Sequence, residues 1–163
     1  MKWIVTLLAT LTLGARTAAY DPSPSFPSFP SSPSLRPSVS TEELARWQME
    51  KKVVLLDVRS DMFAYLKGHL PGAEYLNSET LRASEGGVPA QLLSAGAYSE
   101  LFSRLGVDVG APVVIYSAGE SRNIDATFTA WLFAGFGHPQ VYILDGGFFK
   151  WQLEQRPVVQ PYP

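Results

Sequence analysis

VVIYSAGESRN, residues Val113 to Asn123, sets a run of four apolar residues against a short polar loop. Pro112 opens the run, and an apolar stretch of this length fits a strand buried on both faces. Beyond the loop, Ile124, Phe128, Trp131, Leu132 and Gly135 recur at helical spacing, which predicts a helix from about Arg122 to Phe136. A strand that turns into a helix through a tight polar loop is the unit of a parallel α/β protein. Such loops are where backbone N–H groups hold anions and where nucleophiles are mounted. The first residue of this one is Ser117, in a chain without cysteine.

The flanking sequence repeats the unit. Val53 to Leu56 reads as a buried strand ending at Asp57, with Val58-Arg59 and a short helix, Ser60 to Lys67, behind it. Gly68 stops that helix, His69-Leu70-Pro71-Gly72 is turn chemistry, and Ala73 to Leu76 reads as another strand. Gly137-His138-Pro139 breaks the long helix, Val141 to Leu144 is again apolar, and Asp145-Gly146-Gly147 turns into a helix through Trp151. Ser40-Thr41-Glu42-Glu43 fits a capping box for a first helix to Glu50, and Ala97 to Leu105 is amphipathic. Asn77 to Gly96 is less regular, and Gly86-Gly87-Val88-Pro89 marks an excursion. The expected fold is α/β, a mainly parallel central sheet with helices on both faces. Ligands of such sheets sit at the carboxyl ends of the strands. Here those ends are Asp57-Val58-Arg59, Ser117 to Arg122, and Asp145-Gly146-Gly147.

Hydrophobic residues make up 46% of the 163, and the formal net charge is −2. That composition suits one domain with a real core. It excludes nucleic acid and acidic membrane surfaces as expected partners, because both need a basic face. Met1-Lys2, the apolar stretch Trp3 to Leu13 and the small residues Thr17-Ala18-Ala19 are the parts of a secretory signal peptide. They predict cleavage after Ala19 and a secreted or periplasmic protein with no membrane attachment afterwards. Residues 20–38 are dominated by Ser and Pro and predict an extended, mobile tether. The repeated Phe-Pro-Ser in that segment offers rings to an aromatic-binding partner, but the leading reading is a plain linker. The folded domain is expected over 39–157, with 158–163 a Pro-rich tail. Export without cysteine means no disulfide support and no thiol or persulfide chemistry. Two distant histidines give no metal-ligand spacing, and no phosphate-loop motif is present, so neither metal nor cofactor is expected.

Three segments, in order, resemble the rhodanese (sulfurtransferase) family. Leu55-Leu56-Asp57-Val58-Arg59, followed by Tyr65 and Gly68-His69-Leu70-Pro71-Gly72-Ala73, is similar to the family's N-terminal signature. Val113 to Tyr116 resembles the strand that feeds its active loop. Phe136-Gly137-His138, Val141 to Gly147 and Trp151 resemble its C-terminal signature. The resemblance covers about Val39 to Pro157. It implies a nucleophilic cysteine at the start of the loop, which carries sulfur from a donor such as thiosulfate to an acceptor such as cyanide or a thiol. The matching position is Ser117. A thiolate ionises near neutral pH, attacks sulfur and leaves again. A hydroxyl is a weak nucleophile without an adjacent base and forms no comparable persulfide. His69 and His138 both have turn roles in the family's pattern.

The loop itself departs from that pattern. Active single-domain members resemble Cys-Arg-x-Gly-x-Arg, whereas Ser117-Ala118-Gly119-Glu120-Ser121-Arg122 keeps the last Arg but places Gly one position early. In this respect the segment resembles the N-terminal, noncatalytic domain of two-domain thiosulfate or mercaptopyruvate sulfurtransferases, where a linker and a Cys-bearing domain follow. Ser117, Ala118, Gly119, Glu120, Ser121 and Arg122, with Arg59 from the neighbouring strand end, form a candidate anion site. Glu120 opposes an anion there. The alternative is a plain turn in which Ser121 caps the next helix and Asp125 sits in its first turn. Asp57, His69, Asp145, Gly146 and Gly147 read as structural, and Phe148, Phe149 and Trp151 as packed under the sheet. The expected function is an exported rhodanese-like module lacking its nucleophile and acting by binding. Its expected partners are a small sulfur-containing anion such as thiosulfate or a second rhodanese domain. Alternatives are a sulfurtransferase that works with a Cys-bearing partner domain, a Ser117-dependent hydrolase, and an adaptor whose Pro-rich arm is the working part.

Overall fold

The computed structural model describes residues 38–50, 53–119 and 123–160. The expected signal peptide, the expected tether up to residue 37, and loop positions Glu120, Ser121 and Arg122 lie outside the described residues. Along the chain come β1 (Ser38–Val39), α1 (Thr41–Glu50), β2 (Val54–Asp57), α2 (Met62–Lys67), β3 (Ala73–Tyr75) and a 3-10 turn (Ser78–Leu81). Then follow β4 (Arg82–Glu85), β5 (Val88–Leu92), α3 (Ala95–Arg104), β6 (Val113–Tyr116), α4 (Ile124–Gly135), β7 (Val141–Leu144) and α5 (Gly147–Leu153).

Five strands form one sheet in the order β1-β7-β6-β2-β3, and every neighbouring pair is parallel. Every residue of β2 and β6 is buried, as a strand covered on both faces must be. Side-chain alternation splits them between two cores. Leu56, Val113 and Ile115 join Tyr98 and Phe102 of α3 and Phe133 of α4 on one face. Leu55, Val114 and Tyr116 join Leu44 of α1 and Phe148 and Trp151 of α5 on the other. Each such side chain, taken fully out of water, stabilises the fold by about 1.5–3 kcal/mol before entropy is set against it. The expected α/β architecture with a parallel sheet is therefore the observed one.

The order of strands locates a crevice. β2 has β3 on one side and β6 on the other, so successive connections run in opposite directions from β2. Their loops part at the carboxyl ends of β2 and β6, the switch point where open parallel sheets take ligands. Asp57 and Tyr116 are register partners there, which sets the loops after Asp57 and after Tyr116 side by side.

Several local features differ from the sequence reading. α2 starts at Met62 rather than Ser60, because the Asp61 side chain accepts the Phe63 N–H at 2.9 Å and caps the helix. The less regular stretch from Asn77 to Gly96 contains a separate antiparallel hairpin, β4 with β5, which turns at the excursion marked by Gly86-Gly87. Gly86 and Gly87 both have positive φ, 58° and 81°, which a two-residue hairpin turn requires. Its strands are mostly exposed, so they carry no apolar alternation to reveal them. Ser38, assigned to the tether, pairs with Ile143 as the first residue of β1. Residues assigned to the tail also return to the domain. Val159 and His69 exchange two backbone hydrogen bonds of 2.9 Å, and Trp151 Nε1 donates to Pro157 O at 2.8 Å.

Glu154 ties this C-terminal turn to α1. Its carboxylate accepts from Thr41 Oγ1 and from Arg156 Nε, the latter at 2.6 Å. Those two bonds, the Thr41 one foremost, hold its pKa below the ordinary 4.5. A carboxylate depressed on folding adds stability that is full above 4.5 and lost as pH falls through the lower, folded value. Urea midpoints of Glu154→Gln should thus lie below those of the parent at pH 7 and converge with them in acid. A gap that does not change with pH would contradict the assignment.

Candidate functional site

Ser117 follows β6 directly and is buried, 1% exposed. Its hydroxyl donates to Asn123 Oδ1 at 3.0 Å, and its carbonyl accepts the Phe148 N–H at 2.9 Å. Ala118 is exposed, and its carbonyl accepts the Phe149 N–H at 2.8 Å. Gly119 is buried at φ +90° against the Gly146 backbone. The first half of the loop is thus laid along the start of α5 and held by main-chain bonds.

Asn123 is a participant that the sequence reading did not single out. It occupies the N-cap position of α4, yet makes no side-chain cap bond there. Its carboxamide oxygen is turned back to Ser117 instead. Nothing local in the sequence signals this, since an Asn before a helix ordinarily caps it. For chemistry the consequence is direct. A carboxamide oxygen is far too weak a base to deprotonate an alcohol, so this hydrogen bond does not activate Ser117 as a nucleophile. Both histidines are engaged elsewhere. His69 Nδ1 lies 3.0 Å from Tyr65 O and its ring stacks on Tyr65 at 3.9 Å, while His138 Nε2 lies 2.7 Å from Ala111 O.

Asp57 and Arg59 form a closed unit beside the loop. Asp57 is 0% exposed and Arg59 7%. Arg59 Nε donates to both carboxylate oxygens at 2.9 and 3.0 Å, and Nη2 donates to Oδ2 at 2.6 Å. Nη2 also reaches Gly68 O at 2.8 Å, and the guanidinium lies 4.1 Å from the centroid of the Phe148 ring. The sequence offered Arg59 two roles, as anion ligand and as tie between loops. In the structure its charge is neutralised by Asp57, and its donors join the end of β2 to the Gly68 turn. Tyr116 completes the unit: its oxygen accepts the Leu70 N–H at 3.1 Å. Burial pushes that hydroxyl far above its ordinary 10.0, and the Asp57 carboxylate beside it pushes the same way. The phenol stays neutral wherever the protein is folded.

The third strand end is a turn. Asp145 donates its N–H to Val39 O at 2.9 Å, while its exposed carboxylate pairs with Lys150 Nζ at 2.6 Å. Gly146, at φ +72°, is the N-cap of α5, and Gly147 follows at φ +54°. Phe148 and Trp151 are buried as expected of a helix packed on the sheet. Phe149 is not: it is 46% exposed, because its place one residue after Phe148 turns it to the outer side of α5. Among the described residues, no three His, Cys, Asp or Glu side chains group as metal ligands would, and no helix is long and apolar enough to cross a membrane.

Comparison with known proteins identifies the family and the fold. A curated putative thiosulfate sulfurtransferase of Synechococcus elongatus is 34% identical over 113 residues, covering 69% of this chain and 35% of its own length. Sulfur carrier protein TtuD of Thermus thermophilus is 32% identical over 125 residues, covering 77% and 42%. Thiosulfate sulfurtransferase of Gallus gallus is 36% identical over 90 residues, covering 55% and 31%. The chain therefore spans 31–42% of the length of these three relatives. Among solved structures, the 3-mercaptopyruvate sulfotransferase SseA of Escherichia coli superposes with a TM-score of 0.69 at 25% identity, over 77% of this chain and 51% of that one. The family described as Rhodanese-like domain matches residues 40–154. That span takes in α1 through α5 and every strand of the sheet but β1, and on its extent the chain belongs to the rhodanese-like domain family.

Proposed function

We propose that this protein is an exported, noncatalytic rhodanese-like module that acts by binding, its partner being a Cys-bearing rhodanese domain. The observation that carries the reading is the state of Ser117. Oxygen stands at the nucleophile position of a chain without cysteine, and that hydroxyl is buried and bonded to a carboxamide. Sulfur transfer needs an atom that can take up sulfane sulfur and release it, which an alcohol cannot do. Export rests on the charged, apolar and small-residue pattern of residues 1–19.

Two features favour a protein partner over a free sulfur anion. The cations at the neighbouring strand ends, Arg59 and Lys150, are each paired with a carboxylate. Immediately after the loop, α4 leaves Ile124 76% and Trp131 43% exposed, with Phe128 between them stacked on Trp131. An apolar stripe beside a strand-end loop is what a protein contact uses. The thiosulfate activity named for the relatives would then belong to the partner domain.

Incubating the full chain with thiosulfate and cyanide should produce thiocyanate no faster than the heat-killed protein. Turnover that disappears in Ser117→Ala would overturn the reading and favour the Ser117-dependent enzyme. Ser117→Cys should stay at least about 10²-fold below the Gallus gallus enzyme assayed alongside, since a buried thiol facing the acceptor oxygen of Asn123, in a loop that keeps Glu120 and its own glycine spacing, is favoured in its neutral form. Robust activity in that variant would show that the site lacks only its sulfur.

A further inference from the structure

Past α5 the chain turns back on the domain as a strap. Gln155 takes a left-handed φ of +53°, and the Arg156 N–H returns to Trp151 O at 3.2 Å, which closes the helix and reverses the chain. Pro157 O then accepts from Trp151 Nε1 at 2.8 Å. Val158 lies on Gly68, so closely that a Cβ at Gly68 would stand 2.8 Å from Val158 Cγ1. Val159 exchanges two backbone hydrogen bonds with His69, and Gln160 Nε2 donates to Lys67 O at 3.2 Å, at the end of α2. Little of the strap is covered: Pro157, Val158 and Gln160 are exposed and Val159 is half-buried. A segment held by a few solvent-facing bonds and one apolar contact opens more readily than the sheet does.

The two pieces that the strap grips are the two on which the Ser117 loop rests. One is the turn from Gly68 to Leu70. Gly68 lies under Val158 and gives its carbonyl to Arg59 Nη2, His69 is bonded to Val159, and the Leu70 N–H donates to the Tyr116 hydroxyl oxygen. Tyr116 is the residue before Ser117, and Asp57, which Arg59 clamps, is its register partner. The other piece is α5, where Pro157 O fixes the Trp151 indole. The first turn of α5 holds the loop through the Phe148 and Phe149 N–H groups, which donate to the carbonyls of Ser117 and Ala118. Both connections are runs of direct contacts and hydrogen bonds.

We propose that residues 157–160 are a conformational strap for the Ser117 loop: docked, they fix the turn and the helix that position it, and lifted, they let it loosen. The bistable element is the strap itself, docked or undocked, and the loop feels its state through Tyr116 on one side and α5 on the other. By linkage, whatever binds and steadies the loop also holds the strap down, and whatever draws the strap away weakens binding at the loop. The device is independent of which partner the module binds.

Gly68 offers a wedge to test it. Gly68→Ala adds one methyl at an extended backbone, φ 167°, which any residue adopts, and aims it at Val158 Cγ1. Valine is stiff at χ1, so the strap has to lift. Hydrogen exchange of the full chain should show the His69 and Val159 amides losing protection by at least about ten-fold, while Val114 and Ile115 of β6 stay protected. Amide signals of Ser117, Ala118 and Gly119 should shift in the same variant. Adding Val158→Ala clears the space the methyl needs and should bring both readouts back toward the parent. Loop signals that stay in place while the strap amides open would overturn the coupling. Strap amides that keep their protection would overturn it as well, because Val158 would not be what seats the strap. Should Gly68→Ala fail to fold, Val158→Ser removes the apolar contact without inserting a group. It should move strap and loop together, and strap opening alone would again overturn the proposal.

Discussion

Arg59→Ala is expected to lower the unfolding free energy by about 3–5 kcal/mol, because it strands a fully buried carboxylate without its counter-charge. Asp57 is 0% exposed, and three of the hydrogen bonds it accepts come from the Arg59 side chain. The same substitution takes a donor from Gly68 O and a cation from the Phe148 face. Domains are typically stable by only about 5–15 kcal/mol, so the variant should be marginal at room temperature. Urea unfolding of Arg59→Ala, Asp57→Asn and the double variant tests the cause. The double variant should be markedly more stable than the sum of the single losses allows, since it removes the stranded charge as well. Additive losses would mean that the pair is not what holds these residues. Arg59→Lys keeps the charge but not the planar fork, and should fall between parent and Arg59→Ala.

Gly147→Ala is the second large effect, about 2–4 kcal/mol, from a strained backbone and an overpacked contact together. Gly147 has φ +54°, where a side chain is strained. A Cβ there would also stand 2.6 Å from Ser117 O, 2.8 Å from Gly119 N and 2.9 Å from Gly119 Cα. All three are backbone atoms and none can swing away. The loop after β6 would have to lift off α5, breaking the bond from the Phe148 N–H to Ser117 O. Two readouts should move together: the urea midpoint, and the amide signals of Ala118 and Gly119. A loss under about 0.5 kcal/mol, the range of an ordinary surface change, would show that the loop does not rest on this turn.

These two sites show how far local sequence reaches. The strands were legible because Val54 to Leu56, Val113 to Tyr116 and Val141 to Leu144 are apolar runs too short for helices. Glycines at the ends of elements marked turns for the same local reason. The hairpin of β4 and β5 was not legible, since its residues face solvent and need no apolar pattern. Neither was β1, whose pairing with β7 joins residues more than a hundred positions apart. The return of Val159 to His69 belongs with it. At the site, the sequence showed that the loop after β6 begins with Ser117 in a chain without cysteine. That its hydroxyl points to Asn123, and that Arg59 is turned to Asp57 rather than offered to a ligand, could not.

The sequence alone determined the fold class and that the loop after β6 opens on oxygen rather than sulfur, because apolar runs and the identity of a side-chain atom are properties of the chain itself. Tertiary structure decided the rest: which partner each polar group has, and how closely the Gly146-Gly147 turn meets the loop. Those depend on segments far apart in the chain being brought into register. Hydrogen bonds and close contacts of that kind exist only once the sheet has set the distances.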